Sequence, residues 1–485
     1  MITPALEDGK KLSHGCTLVP IALEIFSDQK TPIEILRNIR GQGGSCFILE
    51  SVNGGEGWGR YTFLGYRPVL HVYGTGGSVT ITSGSGTKEK TCGALAAVKE
   101  LISGYKSARI PGLPPFTGGF VGYFAYDLVQ QCMPGLALSG KNDEGFRDFH
   151  LMLIDKVIAF DNFKQKIYLI ANVSAEDIER SYIKGIEELK DLERMILSEP
   201  KHAEEHYSCG EFTALFSEDD FKEMVLRVKS RIFEGDIFQA VVSNRFKAPF
   251  KGSLLNAYRM LRTINPSPYM VYMRLDDIEI ACSSPETLAS LRDGSVSSFP
   301  LAGTCPRGKT EEDDEALIEE LLKDEKELAE HDMLVDLARN DVGKISKFGT
   351  VKVRDYRQIK RYSHVSHISS NVTGEVRDGV DALDVIAAAI PAGTLSGAPK
   401  KRACEIIDEA EGIKRGVYGG AIGYIDFTGN MDMCIGIRMA VLKEGNVYVQ
   451  SGAGIVADSV PEKEYRETRN KAQAVIKALK EGEVL

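Results

Sequence analysis

The chain has 485 residues, 43% hydrophobic and 26% charged, an ordinary globular composition with enough length for several domain-sized units. Its 59 Lys and Arg stand against 69 Asp and Glu, and the resulting charge of −10 is spread along the sequence, which argues against a surface built for nucleic acid or an anionic membrane. The nine cysteines, an odd count with no C-x-x-C pair, read as reduced thiols of a cytoplasmic protein, and neither a secretory leader nor a membrane-spanning apolar run is visible.

In chain order, residues 1–16 read as a loose tail. Thr31-Pro32-Ile33-Glu34 is a capping box with proline at the first helical position, predicting a helix to Arg40, and the strand CFILES follows. VLHVYGTGGSVTITSG and FHLMLIDKVIAFDNFKQKIYLIANV alternate apolar and polar residues and read as hairpins, turning at a glycine pair and at Asp161-Asn162. The apolar period lapses in SEPKHAEEHYSCGEF, and the main division is expected there, between a 17–200 region and a 201–485 region. Ser217 and Asp220 cap a helix with the stripe Phe221, Met224, Val225, Val228 and Ile232, closed by Gly235 and followed by the strand DIFQAVVSNRF. Farther on, the strands DIEIACSS, SVSSFPLAG, VYGGAIGYIDF and NVYVQSGAGIV alternate with helices at 312–341, near 381–390, at 399–410 and at 461–480. The layout is mixed α/β or α+β with mostly antiparallel strands. GGFVGYFAYD at 118–127 echoes GGAIGYIDF at 419–427 without a fixed period.

Two glutamate pairs, Glu327/Glu330 and Glu464/Glu467, stand three apart in helical patterns, so each pair shares a helix face. The first face continues to Leu334 and Leu337 and the second to Lys471, so the acids are expected to point inward. Mg²⁺, a hard cation that takes carboxylates, water and an anionic substrate, would satisfy them; two solvated acidic helices are the alternative. HAEEH at 202–206 is no zinc-protease helix, because Ala203 stands where the base is needed. PAGTLSGAPKK is no phosphate loop, because Pro399 precedes Lys400. His364 and His367, three apart, read as surface or hydrogen-bonded histidines as readily as ligands.

Gln239 alternates with Ile237 and Val241, which puts an amide in an apolar row where it must be hydrogen-bonded. Glu286 ends the apolar strand of CSSPETL, where partial burial would raise its pKa and suit it to proton donation, a solvated turn acid being the alternative. SGAGIV at 451–456 and FPLAGTCPRG at 299–308 offer glycine-bracketed N–H groups, and Arg438 and Lys471 are the cations to accompany them.

GDIFQAVVSNRF, NPSPYM, SSPETL, FPLAGTCPRG, AEHDMLVDLARNDVG, PAGTLSGAPK, GGAIGY, SGAGIVADS and PEKEYRETRNKA together resemble the chorismate-utilising enzymes, from about Thr17 to about Lys480. The resemblance implies one α+β unit of two packed antiparallel β-sheets flanked by helices. It assigns Glu327, Glu330, Glu464 and Glu467 to a Mg²⁺ site, and Thr394, Tyr418, Arg438, Gly452, Ala453, Gly454 and Lys471 to the carboxylates of chorismate. Glu286 matches the general acid for loss of the 4-hydroxyl, and His367 the histidine that assists loss of pyruvate. Members that add water carry a lysine base where this chain has Gln239, which points to ammonia as nucleophile. Members that make 4-amino-4-deoxychorismate often carry a nucleophilic lysine where this chain has Ala302, which favours anthranilate. Cys305 departs from the usual arginine of G-T-R-P-R-G and is expected to remove a positive charge near the site.

The implied activity is a Mg²⁺-dependent lyase of tryptophan biosynthesis that takes chorismate and ammonia to anthranilate and pyruvate, with ammonia supplied by a separate glutamine amidotransferase subunit. Glu50, Ser51, Arg60, Asn265, Pro268, Tyr269 and Met270 resemble a tryptophan feedback site within reach of Trp58, the sole tryptophan. The alternatives are the aminodeoxychorismate-forming member and a catalytically silent amino-acid-binding subunit.

Overall fold

The alternating patterns build two β-sheets, of 14 and 12 strands, in a computed structural model that describes residues 2–51, 59–199, 206–361 and 365–484. Strands from both ends of the chain enter each sheet, and each sheet has one seam between them. In the larger, Cys46–Glu50 pairs antiparallel with Tyr269–Arg274. In the smaller, Gly119–Phe124 pairs antiparallel with Ala421–Asp426. The echoed glycine phrases meet at this second seam, with Gly122 opposite Gly423. A Cβ on Gly122 would stand 2.1 Å from the His150 carbonyl oxygen, and one on Gly423 2.0 Å from that of Asp432, so the echo marks two places that admit no side chain.

The sheets pack face to face. Phe47, Val271, Cys282 and Met439 of the larger meet Val121, Tyr123, Met152, Ile422 and Cys434 of the smaller in one apolar cluster. The outer face of the larger sheet is covered by Pro32–Arg40, Ile178–Leu197, Leu255–Ile264 and Pro461–Glu481, and that of the smaller by Ala94–Ser103, Glu325–Gly343 and Ala382–Ala389. The result is a helix–sheet–sheet–helix stack, the α+β architecture read from the sequence. Both capping boxes form, Thr31 with Glu34 and Ser217 with Asp220, each contributing about 1 kcal/mol to its helix start. Gly76 and Gly77 turn the first hairpin at φ 59° and 87°, which L side chains rarely adopt.

Four sequence expectations change. Residues 2–13 are no loose tail: Ile2–Thr3 pairs with Leu18–Phe26, Leu6–Ser13 is a helix, and the Tyr182 hydroxyl donates to the Pro4 carbonyl at 2.8 Å. FHLMLIDKVIAFDNF is not one hairpin arm, because Phe149–Ile154 lies in the smaller sheet and Lys156–Asp161 in the larger, with Asp155 at the crossing. The 312–341 helix is two, Glu311–Leu321 and Glu325–Gly343, the second capped by the Asp324 carboxylate. The hairpin Lys352–Arg361 with Val365–Glu375 was not foreseen, because its first strand is almost wholly polar and exposed. HAEEH lies outside the described residues except for His206, and so does His364.

Candidate active site

Two chain crossings between the sheets build the centre of the site. The chain leaves the larger sheet at Ile278–Ser284 and enters the smaller at Thr287–Arg292, with Glu286 in the turn. It returns from Met431–Ile435 to Met439–Lys443, with Arg438 in that turn at φ 52°, a strained setting for a residue other than glycine. The crossings are tied together: Ile435 N donates to the Glu286 carbonyl and Ser283 N to the Arg438 carbonyl, both at 3.0 Å.

A cavity of about 780 Å³ opens over these turns. It is lined by Gln239, Glu286, His367, Thr394, Tyr418, Arg438, Gly452, Gly454 and Lys471, together with Glu327, Glu330, Glu464 and Glu467. Ala453 does not line it: the strand pleat turns its methyl group into the apolar cluster with Phe221 and Val225. The neighbouring glycines make room. A Cβ on Gly454 would stand 2.5 Å from Gln239 Nε2, and one on Gly452 3.1 Å from the Tyr418 hydroxyl.

Burial pushes the Glu286 carboxyl up to about 8; the adjacent Thr394 hydroxyl and Lys471 pull it down only part of the way. The group holds its proton at neutral pH, as a general acid must. Burial also lowers the His367 pKa, and its Nδ1 lies 3.3 Å from the Gly303 carbonyl oxygen, so the proton sits on Nδ1 and Nε2 is the basic nitrogen. Lys471 Nζ stands 2.6 Å from Glu467 and donates to the Gly452 carbonyl at 3.1 Å. Arg438 lies half-buried on the cavity wall with no ion-pair partner among the described residues, and the Thr394 hydroxyl faces the same cavity within reach of Glu286. These are fittings for an anion that the protein does not itself supply.

The helices Glu325–Gly343 and Pro461–Glu481 bring the four glutamates to one wall. Burial raises the Glu330 pKa, with repulsion from Glu327 and Glu467 added; burial raises that of Glu464, with repulsion from Glu467 added. An all-oxygen donor set whose members repel one another fits a hard divalent cation. The acids are spread along the wall, for among the described residues the only three ligand atoms within 4.8 Å of one another belong to His71, His150 and Asp276. That cluster is a hydrogen-bond chain between the sheets, Arg147 to His150 at 3.0 Å and His150 to His71 at 3.0 Å.

Of the expected effector residues, Glu50, Ser51, Arg60, Pro268, Tyr269 and Met270 line a separate cavity of about 170 Å³. Asn265 does not: it faces the large cavity and donates to Ser283 Oγ at 3.3 Å. Arg292, Tyr424 and Asp432 complete the smaller cavity and were missed; an acid in the apolar run MDMCI was the available signal. Trp58 lies outside the described residues. Cys305 also lies off the large cavity, its thiol packed with Ile318, Leu321 and Ile368, while Arg307 pairs with Asp314 at 2.7 Å. The charge expected to be lost at the site is therefore not part of its lining.

A family model described as chorismate binding enzyme matches residues 49–477. The anthranilate synthase component 1 of Acetivibrio thermocellus is 45% identical over 100% of both chains, and that of Aquifex aeolicus 43% identical over 99% of this chain and 98% of its own. Among solved structures, anthranilate synthase component I from Streptococcus pneumoniae superposes with a TM-score of 0.78 at 35% identity, covering 93% of this chain and 98% of that one. The menaquinone-specific isochorismate synthase of Escherichia coli, at 19% identity and a TM-score of 0.71, shares the fold. With fold, cavity and full-length likeness in agreement, the chain belongs to the chorismate binding enzymes.

Proposed function

We propose that the chain is the aminating component of an anthranilate synthase. Chorismate and ammonia give anthranilate, pyruvate and water. The observation that carries the reading is the pairing, in one cavity, of a protonated Glu286 with a neutral Gln239: an acid for a leaving hydroxyl and, at position 239, an amide that cannot take a proton from water. Ammonia needs no such base, because its lone pair is available once it is unprotonated.

Arg438 and Lys471, with the Thr394 and Tyr418 hydroxyls and the backbone amides of Gly452 and Gly454, hold the two carboxylates of chorismate and orient its ring. Ammonia bonds to C2 as the ring double bonds shift and the C4–O bond breaks; Glu286 gives its proton to the departing hydroxyl, which leaves as water. The amine sheds its extra proton to Glu286 or solvent, closing the balance. The C2 proton then leaves to His367 Nε2 as the bond between ring C3 and the enolpyruvyl oxygen breaks, and that proton passes to the methylene carbon of the departing enolate, leaving pyruvate and an aromatic ring. Glu327, Glu330, Glu464 and Glu467 would hold Mg²⁺, which when bound supplies positive charge against a substrate carboxylate.

The full-length relatives named component 1 support a partner component, here a glutamine amidotransferase subunit that delivers ammonia. No helix among the described residues is long and apolar enough to cross a membrane, and the nine cysteines are free, which supports a cytoplasmic enzyme. The smaller cavity suits a zwitterionic amphiphile such as tryptophan as feedback inhibitor, with an apolar body against Phe63 and Met270 and polar ends against Ser51 and Tyr269.

The test is incubation of the chain with chorismate, Mg²⁺ and ammonium salt at mildly alkaline pH, with and without chelator. Chelator-sensitive anthranilate, identified by fluorescence and mass, is expected. An aminodeoxychorismate product instead would overturn the reading, against which Ala302 on the cavity wall already argues.

A further inference from the structure

Arg415 is among the largest side chains fully withdrawn from solvent, 2% exposed, and it touches none of the reacting groups assigned above. A buried cation is costly, and an apolar set of the same volume is often as stable or more so, so its partners bear on what it does. Nε and Nη2 grip Glu411 at 2.9 and 2.5 Å. Nη1 donates to the Leu395 carbonyl at 2.7 Å and Nη2 to the Val241 carbonyl at 2.6 Å. The guanidinium carbon lies 4.5 Å from the centre of the Tyr126 ring and 5.8 Å from that of Tyr418. Glu411 also accepts from Ser243 N at 2.7 Å and Ser243 Oγ at 2.9 Å, and Ser243 Oγ accepts from Gln450 at 2.8 Å.

The contacts to Leu395, Val241, Tyr418 and, through Glu411 and Ser243, Gln450 end on segments that carry part of the large cavity. Leu395 follows Thr394, Val241 stands two residues beyond Gln239 on the same strand face, and Tyr418 and Gln450 line the cavity themselves. Arg415 is itself fixed by the other end of the chain. The Asp127 carboxylate accepts from Arg415 N at 3.3 Å and from Gly416 N at 2.7 Å.

We infer that Arg415, clamped by Glu411 and Asp127, is a positioning residue that sets the spacing of Gln239, Thr394 and Tyr418 from behind the cavity wall. The inference rests on the reading of this cavity as a chorismate site. Three segments distant in sequence depend on one planar fork, and a shift of about 1 Å in such a wall is enough to cost roughly 100-fold in turnover. Lysine does not replace it, because a single ammonium cannot chelate a carboxylate and reach two diverging carbonyls at once.

The test compares wild type, Arg415→Lys and the apolar double variant Arg415→Met/Glu411→Leu in ammonium-dependent turnover, chorismate binding by calorimetry and thermal melting. The double variant removes both buried charges and is expected to melt within a few degrees of wild type. Both variants are expected to raise the chorismate KM and Kd at least ~10-fold and to lower kcat by ~10–100-fold. Should the double variant fold and keep wild-type kinetics, Arg415 is only a structural ion pair and the inference is overturned. If both variants fail to fold, Glu411→Gln, which keeps the Arg415 fork with a weaker clamp, is expected to show the same KM rise at reduced size, and a wild-type KM there overturns it. A wild-type chain that makes no anthranilate sinks the functional reading instead, and the two failures are thereby distinct.

Discussion

The two cavities differ in how far the protein neutralises its own charges. In the large one Arg438 has no ion-pair partner among the described residues, and Glu286, Glu330 and Glu464 are pushed up by burial. In the small one nearly every charge is already matched. Arg60 pairs with Asp161 at 2.7 Å, Glu50 with Arg262 and the Tyr258 hydroxyl, and Asp432 with Arg292 and the Tyr269 hydroxyl. An imbalanced cavity stores electrostatic demand that a dianion and a cation relieve together, which suits turnover. A balanced one selects by shape and hydrogen bonding, which suits a regulator that must bind without reacting.

The contrast is broken most severely at Glu286. Glu286→Gln is expected to lower kcat by ~10²–10⁴-fold with little change in chorismate KM, measured at fixed free ammonia. Because Glu286 acts in its protonated form, wild-type turnover per free ammonia should hold below about 8 and fall above it, and the variant should lose that limb. Stability also declines as pH rises, over a lower window. A carboxyl raised from 4.5 to about 8 keeps its proton in the folded chain while the unfolded chain loses it, so its contribution is fullest below 4.5 and declines as pH rises to about 8. Glu286→Gln should therefore melt no lower than wild type at pH 8, the advantage fading toward pH 4.5.

Next in size, Glu330→Gln and Glu464→Gln should each raise the Mg²⁺ concentration for half-maximal turnover by at least ~10-fold, read by titration after chelation. In the balanced cavity, Asp432→Asn should leave turnover without inhibitor within about twofold of wild type. It should weaken inhibition by tryptophan several-fold, because Tyr269 and Arg292 lose their common acceptor; a fall in turnover matching that of Glu286→Gln would erase the distinction between the cavities. Smallest of all, Ala453→Gly should leave KM unchanged and cost only about 0.5–1 kcal/mol of stability, since the methyl group packs behind the wall.

Much of the fold was legible because its signals are local. A threonine three residues before a glutamate caps a helix wherever it occurs, and a glycine pair turns a hairpin. What stayed hidden depends on partners far away in sequence. No local pattern says that Phe149–Ile154 and Lys156–Asp161, two residues apart, belong to different sheets, since both are apolar strands bounded by the same Asp155. The polar strand Lys352–Arg361 is held by pairing with Val365–Glu375 rather than by burial, so it has no apolar row to read. At the site, motif resemblance reached the cavity residues themselves but misplaced two: Ala453, whose methyl group the strand pleat turns behind the wall, and Asn265, which faces the large cavity instead of the small one. Arg415 escaped notice because its role lies in what surrounds it; in sequence it is one basic residue before a glycine.

The seams of the two sheets bear on how the protein is made. When the ribosome has released the first strands, Cys46–Glu50 and Gly119–Phe124 each present an edge whose partner, Tyr269–Arg274 or Ala421–Asp426, has not yet been synthesised. At ordinary translation speeds the second edge waits for tens of seconds, a long time for a row of open N–H and C=O groups beside apolar side chains. Until then both edges are open to pairing with other chains. A gene severed at the lapse near residue 200 would yield two adhesive half-proteins in place of two domains, each insoluble until supplied with the other.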